Sequence, residues 1–208
     1  MDNNYIGIPE SVDELQNIVV SILNKQKRGI LLDAGAGSGK LSKKLKEIGY
    51  AVRACDIETQ HFKPNGITID FADLNHKLPY SDNSFDYITA IELMEHLENP
   101  WNFIREAHRI MKPKGILIVS SPNMESLSGK IKFLFGQPFP YFTYRRFEEI
   151  NHITPIFTWN ISRMIKNKFK LINTEYKLHK IPKTNIKIGL KHSLFAENNF
   201  FILERLPD

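Results

Sequence analysis

Apolar positions along the chain alternate between two spacings. Val12, Leu15, Ile18, Val19, Ile22 and Leu23 recur at helical intervals behind Pro9 and the candidate cap Ser11, predicting an amphipathic first helix that Gly29 ends. Ile30-Leu31-Leu32-Asp33 is instead a short, continuously apolar run, the pattern of a strand buried on both faces. A glycine-rich turn follows, then a helix carrying Leu41, Leu45 and Ile48 that Gly49 stops. The alternation predicts further strands at 51–55, 66–70 and 85–91, a helix at 100–111 and a strand at 115–121. Between residues 123 and 155 the period breaks down, and a helix at 158–167 and strands at 169–178 and 194–203 close the chain. Alternating strands and helices imply a mostly parallel sheet covered on both faces, with right-handed crossovers. The last two strands, joined by a basic loop, predict an antiparallel hairpin at the sheet edge.

Composition keeps this picture within one domain. The 208 residues are 42% hydrophobic and 25% charged, the globular range, with no repeat, low-complexity tract or linker to divide 1–208. The lone Cys55 cannot form an intramolecular disulfide, and the N-terminus has neither the basic start nor the apolar run of a signal peptide. No apolar stretch approaches the roughly 18 residues that would span a bilayer. A cytoplasmic location is expected.

Lys+Arg 28 against Asp+Glu 23 leaves a net +5, unevenly spread. Between residues 163 and 191 stand Arg163, Lys166, Lys168, Lys170, Lys177, Lys180, Lys183, Lys187 and Lys191, with Glu175 the only acid. Such a run is a solvated basic face or a contact for phosphates of a substrate, lipid or RNA.

Candidate chemistry begins at Asp33-Ala34-Gly35-Ala36-Gly37-Ser38-Gly39, at the carboxyl end of the first strand, where an open parallel sheet places its ligand. Glycines there let the backbone approach a ligand and adopt positive φ. A phosphate-cradling P-loop fits poorly, because Leu41 stands where a hydroxyl should hold Mg²⁺. A dinucleotide fingerprint fits imperfectly, since the third glycine comes one residue early. Asp56, about twenty residues past the turn, is placed to accept hydrogen bonds from ribose hydroxyls, or is a solvated strand-end acid.

Taken together, 30–50, Leu78-Pro79-Tyr80-Ser81-Asp82-Asn83-Ser84-Phe85-Asp86, Glu95-His96-Leu97, the run from Arg109 to Gly115 and Ser121-Pro122-Asn123 resemble the class I S-adenosylmethionine-dependent methyltransferases. The resemblance covers 15–123 and then follows strand order only; Lys114 departs from it, standing where the family usually has glycine. It implies a Rossmann-like, doubly wound α/β fold with a mostly parallel seven-stranded sheet. It also implies a cofactor set of Asp33, Ala34, Gly35, Gly37, Gly39, Asp56, Ile57, Asp73, Leu74 and Glu92, with Asp56 on the ribose, Ile57 on the adenine and Asp73 on its amine.

Methyl transfer from a sulfonium needs an aligned acceptor and a group to take its proton. At helical spacing Glu92 would lie beside Glu95 and His96, and His96 titrates nearest neutrality. With the distal His152, the set Glu92, Glu95, His96 and His152 resembles that of metal-dependent members, among them small-RNA ribose 2′-O-methyltransferases and quinone-biosynthesis O-methyltransferases. It implies Mg²⁺ or another divalent cation, although Glu-His-Leu also occurs in metal-free members, where the histidine packs at the pocket floor. The aromatic-rich stretch inside 124–157 reads as a lid over the acceptor site, as a satellite hydrophobic cluster, or as a membrane-surface contact in which Phe133, Leu134 and Phe135 dip between Lys130, Lys132, Arg145 and Arg146. The expected activity is O-methylation of a small metabolite, sugar or carrier-linked acceptor. Metal-assisted methylation of RNA ribose and an inactive cofactor-binding module are the alternatives.

Overall fold

Burial on both faces is what the apolar runs achieve. In a computed structural model, described here for residues 9–139, 141–143, 151–178 and 192–207, seven strands form one sheet. They are β1 (Ile30–Ala34), β2 (Ala51–Asp56), β3 (Thr68–Phe71), β4 (Phe85–Ala90), β5 (Met111–Pro122), β6 (Phe169–Leu178) and β7 (Ala196–Arg205). The order is β3-β2-β1-β4-β5-β7-β6. Strands β1 to β5 pair in parallel, whereas β7 is antiparallel to both β5 and β6. The predicted α/β architecture is the one observed, with the closing pair turned so that β7 lies inside and β6 at the edge.

Helices α1 (Pro9–Leu23), α2 (Lys40–Glu47), α3 (Pro100–Ile110), α4 (Leu127–Leu134) and α5 (Thr158–Met164) complete the described elements, with short 3₁₀ turns between them. Successive strand residues point to opposite faces. Leu31 and Phe200 therefore join Leu15, Val19, Leu23 and Leu45 in one core. Their neighbours Leu32 and Phe201 join Phe103, Ile104, Ala107, Ile110 and Ile161 in the other. Helix α3 begins cleanly because the Asn99 side chain accepts from Asn102 N at 3.0 Å and Pro100 needs no donor there.

Most boundaries fall within two residues of the apolar pattern, and two shift by three or more. Strand β5 starts at Met111 rather than 115, and on the way Lys114 adopts φ 63, the left-handed conformation that explains the glycine usual at this position. Helix α5 stops at Met164, and 165–168 form turns before β6. Helix α4 falls where no period was legible, because apart from Gly129 its residues face outward. Arg145, Arg146, Lys180, Lys183, Lys187 and Lys191 lie outside the described residues.

Candidate active site

The glycine turn leaves β1 under tight control. Gly35 N and Ala36 N both donate to the carbonyl of Cys55, at 2.9 and 3.1 Å, tying the turn to the end of β2. Gly35, Gly37 and Gly39 all have φ between 51° and 77°. A Cβ on Gly35 would lie 2.8 Å from Leu93 Cδ1, and one on Gly39 2.5 Å from both Phe62 and Pro64. At Gly37 no atom lies within 4 Å, so its turn faces open space. Open space above a backbone that must have positive φ is what a ligand passing close by requires.

Asp33 supports the turn from below. Its carboxylate, 2% exposed, accepts from Ser42 Oγ at 2.5 Å and from Thr89 Oγ1 at 2.8 Å. Burial raises it to about 6, against the pull of the two hydroxyls. The unfolded chain titrates near 3.8, so between about pH 4 and 6 the fold holds the extra proton. Stability from this group is thus present below about pH 4 and lost as pH rises through 6. Asp33→Asn is expected to flatten the urea-unfolding stability across that window by about 2–3 kcal/mol. An unchanged slope would show that Asp33 does not titrate there.

Asp56 ends β2 facing the turn. One carboxylate oxygen accepts from Gly37 N and the other from Glu58 N, each at 2.8 Å. Each oxygen retains a second acceptor site. Beside it Ile57 is 56% exposed. After β3, Asp73 accepts from Asn75 N at 2.9 Å, and Leu74 is buried next to it. The carboxyl ends of the parallel β1, β2 and β3 bring the turn, Asp56 and Asp73 to one rim of the sheet.

After β4 the chain departs from helical spacing. Glu92 has φ 52 and only Met94–His96 forms a 3₁₀ turn. The Glu92 carboxylate therefore turns toward the far strands, accepting from Ser120 Oγ at 2.7 Å and Asn198 Nδ2 at 2.7 Å. Burial pushes it up to about 7, with Ser120 and the Lys177 cation pulling the other way. Lys177, 4% exposed, pairs with Glu197, which also accepts from Tyr141 Oη at 3.1 Å. Ser120, Asn198, Glu197 and Tyr141 were not singled out from sequence, and Lys177, read there as part of a basic run, is instead buried against Glu197. The polar triplet Glu197-Asn198-Asn199 at the head of an apolar strand was the available signal.

Glu95, His96 and His152 do converge. Ile153 N and Thr154 N donate to the Glu95 carbonyl at 2.9 and 3.0 Å, docking the distal segment on the 3₁₀ turn. The two imidazoles meet edge to face with centroids 4.7 Å apart, and one ligand-type atom from each of the three residues lies within 4.8 Å of the others. His96 Nδ1 lies 3.2 Å from the Asn151 carbonyl, and His152 Nδ1 lies 3.1 Å from that of Tyr141. Both contacts favour the tautomer with Nδ1–H donating and the lone pair on Nε2. Glu95 is fully buried, and neither of its oxygens has a hydrogen-bond partner among the described residues. Burial, and then the Glu92 charge, hold it well above the usual carboxylate range. Tyr141 and Asn151 also take positive φ, at 72° and 53°, so strained non-glycine residues flank both histidines.

A parallel α/β sheet with an antiparallel β7 between β5 and β6, a glycine turn after β1 and an acid ending β2 is the arrangement that the sequence resemblance implies. A family model described as a methyltransferase domain matches residues 32–119. Within that span the chain matches a methyltransferase domain, and its fold is that of solved S-adenosylmethionine-dependent methyltransferases. A methyltransferase structure from Thermotoga maritima superimposes with a TM-score of 0.70 at 17% identity, covering 99% of this chain and 97% of that one. One from Archaeoglobus fulgidus gives 0.64 at 19% identity, covering 91% and 94%. The ubiquinone biosynthesis O-methyltransferase of Haemophilus ducreyi is 32% identical over 107 residues, 45% of each protein. That of Actinobacillus pleuropneumoniae is 27% identical over 128 residues, 55% of this chain and 53% of that protein. The chain spans about half the length of the curated relatives it matches. Among the described residues no helix is long and apolar enough to cross a membrane.

Proposed function

We propose that the chain transfers the methyl group of S-adenosylmethionine to a hydroxyl oxygen of a small or carrier-linked acceptor. The observation that carries this reading is the convergence of Glu95, His96 and His152 at the same sheet rim as the glycine turn. The oxygen-methylating relatives support it. In the transfer an oxygen–carbon bond forms as the carbon–sulfur bond breaks in line, and the acceptor's proton passes to the imidazole pair. The sulfonium is already an activated donor, so alignment and proton removal are the work left to the protein.

Asp56 would hold the ribose through its remaining acceptor sites, Asp73 the adenine amine, and Ile57 with Leu74 the faces of the base. Gly35 and Gly37 would admit the methionine end past the turn, with Asp33 and Gly39 fixing that turn and Glu92 walling the sulfonium side. Tyr141 and Phe142, the described part of 124–157 that contacts His152, would wall the acceptor. Gly37→Ala should melt within a few degrees of the parent, since no atom lies within 4 Å of its Cβ and the left-handed φ costs about 1–2 kcal/mol. It should nevertheless bind S-adenosylhomocysteine about tenfold more weakly by calorimetry. Unaltered affinity would place the ligand elsewhere.

A second reading adds a divalent cation, because Glu95 offers a buried carboxylate with no partner among the described residues and two imidazoles braced at Nδ1. The donor set suits such an ion, which when bound would lower the pKa of an acceptor hydroxyl. Glu95, His96 and His152 would hold it, and Glu92 would stand outside the set. Titration of the protein with Mg²⁺, Mn²⁺ and Zn²⁺ in a calorimeter tests this; silence with all three, and unchanged turnover in chelator, would remove the metal. The function itself is tested by following S-adenosylhomocysteine release with phenolic, sugar and amine acceptors and a short RNA. Turnover with hydroxyl acceptors is expected, and turnover confined to amines would overturn oxygen as the target.

A further inference from the structure

Helix α4 presents an apolar face that is left exposed among the described residues. Only Gly129 in it is buried, with the Ser126 side chain capping the first turn by accepting from Gly129 N at 3.2 Å. Leu127, Ile131, Leu134 and Phe135 are 43, 48, 80 and 76% exposed. At the helical repeat these four fall within an arc of about 100°, opposite Gly129. Lys130 and Lys132 flank that arc on its two sides, and no acidic residue occurs between Ser126 and Phe147.

The patch continues off the helix. Phe133 stacks on Phe139 at 4.6 Å, Phe139 packs edge-on against Phe157 at 5.7 Å, and Phe157 stacks on Trp159 at 6.1 Å. Trp159, 52% exposed, carries the Arg163 guanidinium 5.3 Å above its ring. An exposed tryptophan beside a cation, next to an aliphatic face edged by lysines, matches the polarity gradient of a lipid interface.

We propose that α4 and the adjoining Trp159 corner form a docking surface for a membrane bearing anionic lipids. The aliphatic side chains would enter the acyl boundary while Lys130, Lys132 and Arg163 meet the headgroup phosphates. Charge decides between this occupant and a second copy of the chain, because a symmetric dimer through this face would set lysine against lysine. The helix face weighs against RNA, because three of its four arc residues are aliphatic and give bases no ring to stack on, the remaining exposed rings lying at its edge. The surface lies beside the segment that contacts His152, so a lipid-borne acceptor would reach the site directly. The docking itself does not depend on which acceptor is methylated.

The test is flotation of the full chain with vesicles of phosphatidylcholine alone or mixed with phosphatidylglycerol. Association with the mixed vesicles is expected, weakened by high salt. The double substitution Leu134→Gln and Phe135→Gln should reduce the partition coefficient at least about tenfold, given the apolar area withdrawn from lipid. Lys130→Glu with Lys132→Glu should reduce it by a similar factor. Both variants alter exposed positions, so their melting and S-adenosylhomocysteine affinity should match the parent. No association with mixed vesicles, equal association with both compositions, or indifference to the glutamine pair would overturn the proposal. So would a dimer in solution that the glutamine pair dissolves, which would assign the face to a second copy.

Discussion

Asp56→Ala should lower the affinity for S-adenosylhomocysteine about a hundredfold, roughly 3 kcal/mol. The residue does two things at once in the proposed complex. Its carboxylate accepts from Gly37 N and Glu58 N at 2.8 Å, and so holds the glycine turn in register with the end of β2. It would also accept from the ribose hydroxyls with the acceptor sites left over. Hydrogen bonds to a charged group contribute about 1.5–3 kcal/mol each, and alanine removes them all. Asp56→Asn keeps one oxygen but substitutes a donor for the other, which then opposes Gly37 N or Glu58 N; its loss should be intermediate. Isothermal titration measures both. Melting temperature separates the two roles, since a brace lost without a ligand lowers stability of the unliganded protein, whereas a lost ribose contact does not. If Asp56→Ala bound the cofactor product as the parent does, the ribose assignment would fall.

The parts of this molecule that could be read from sequence are those whose burial leaves a local imprint. Leu31 and Leu32 point to different cores, so β1 is apolar at every position and stands out against the amphipathic helices around it. Helix α4 leaves no such imprint, because its apolar residues face out and the core takes only Gly129. The site divides in the same way. The glycine turn is local, and its three positive φ angles require the residue type that marks it. The reading of Glu92 beside Glu95 and His96 assumed helical spacing; the left-handed φ of Glu92 breaks that spacing, and although its charge still acts on Glu95, its carboxylate bonds to Ser120 and Asn198. Its actual partner Asn198 lies 106 residues away and arrives only because β7 is inserted antiparallel beside β5. Long-range pairing of that kind has no local signal. His152 was legible only through the family resemblance, for the same reason.

Glu95→Met is expected to make the unliganded protein more stable and to abolish its turnover. The carboxylate is fully buried, and neither oxygen has a hydrogen-bond partner among the described residues. Leaving a buried polar group unsatisfied costs about 1–3 kcal/mol, while a side chain of similar length without the carboxyl fills the same space. For a chain of this size each kilocalorie moves the midpoint by about 2–4 °C, so a rise of several degrees is expected in chelator at neutral pH. The same substitution removes the acid from its cluster with His96 and His152, and loss of such a group typically costs at least about a hundredfold in rate. Opposite signs for stability and activity are the mark of a polar group retained for function. Glu95→Gln refines the argument: it keeps the shape and an acceptor oxygen, so it should recover less stability than methionine and little activity. Were a divalent cation held here, adding it would raise the parent's midpoint and leave that of the methionine variant unmoved. A methionine variant that melted lower than the parent in chelator would mean that Glu95 is held by a structural partner and that its burial is part of the fold.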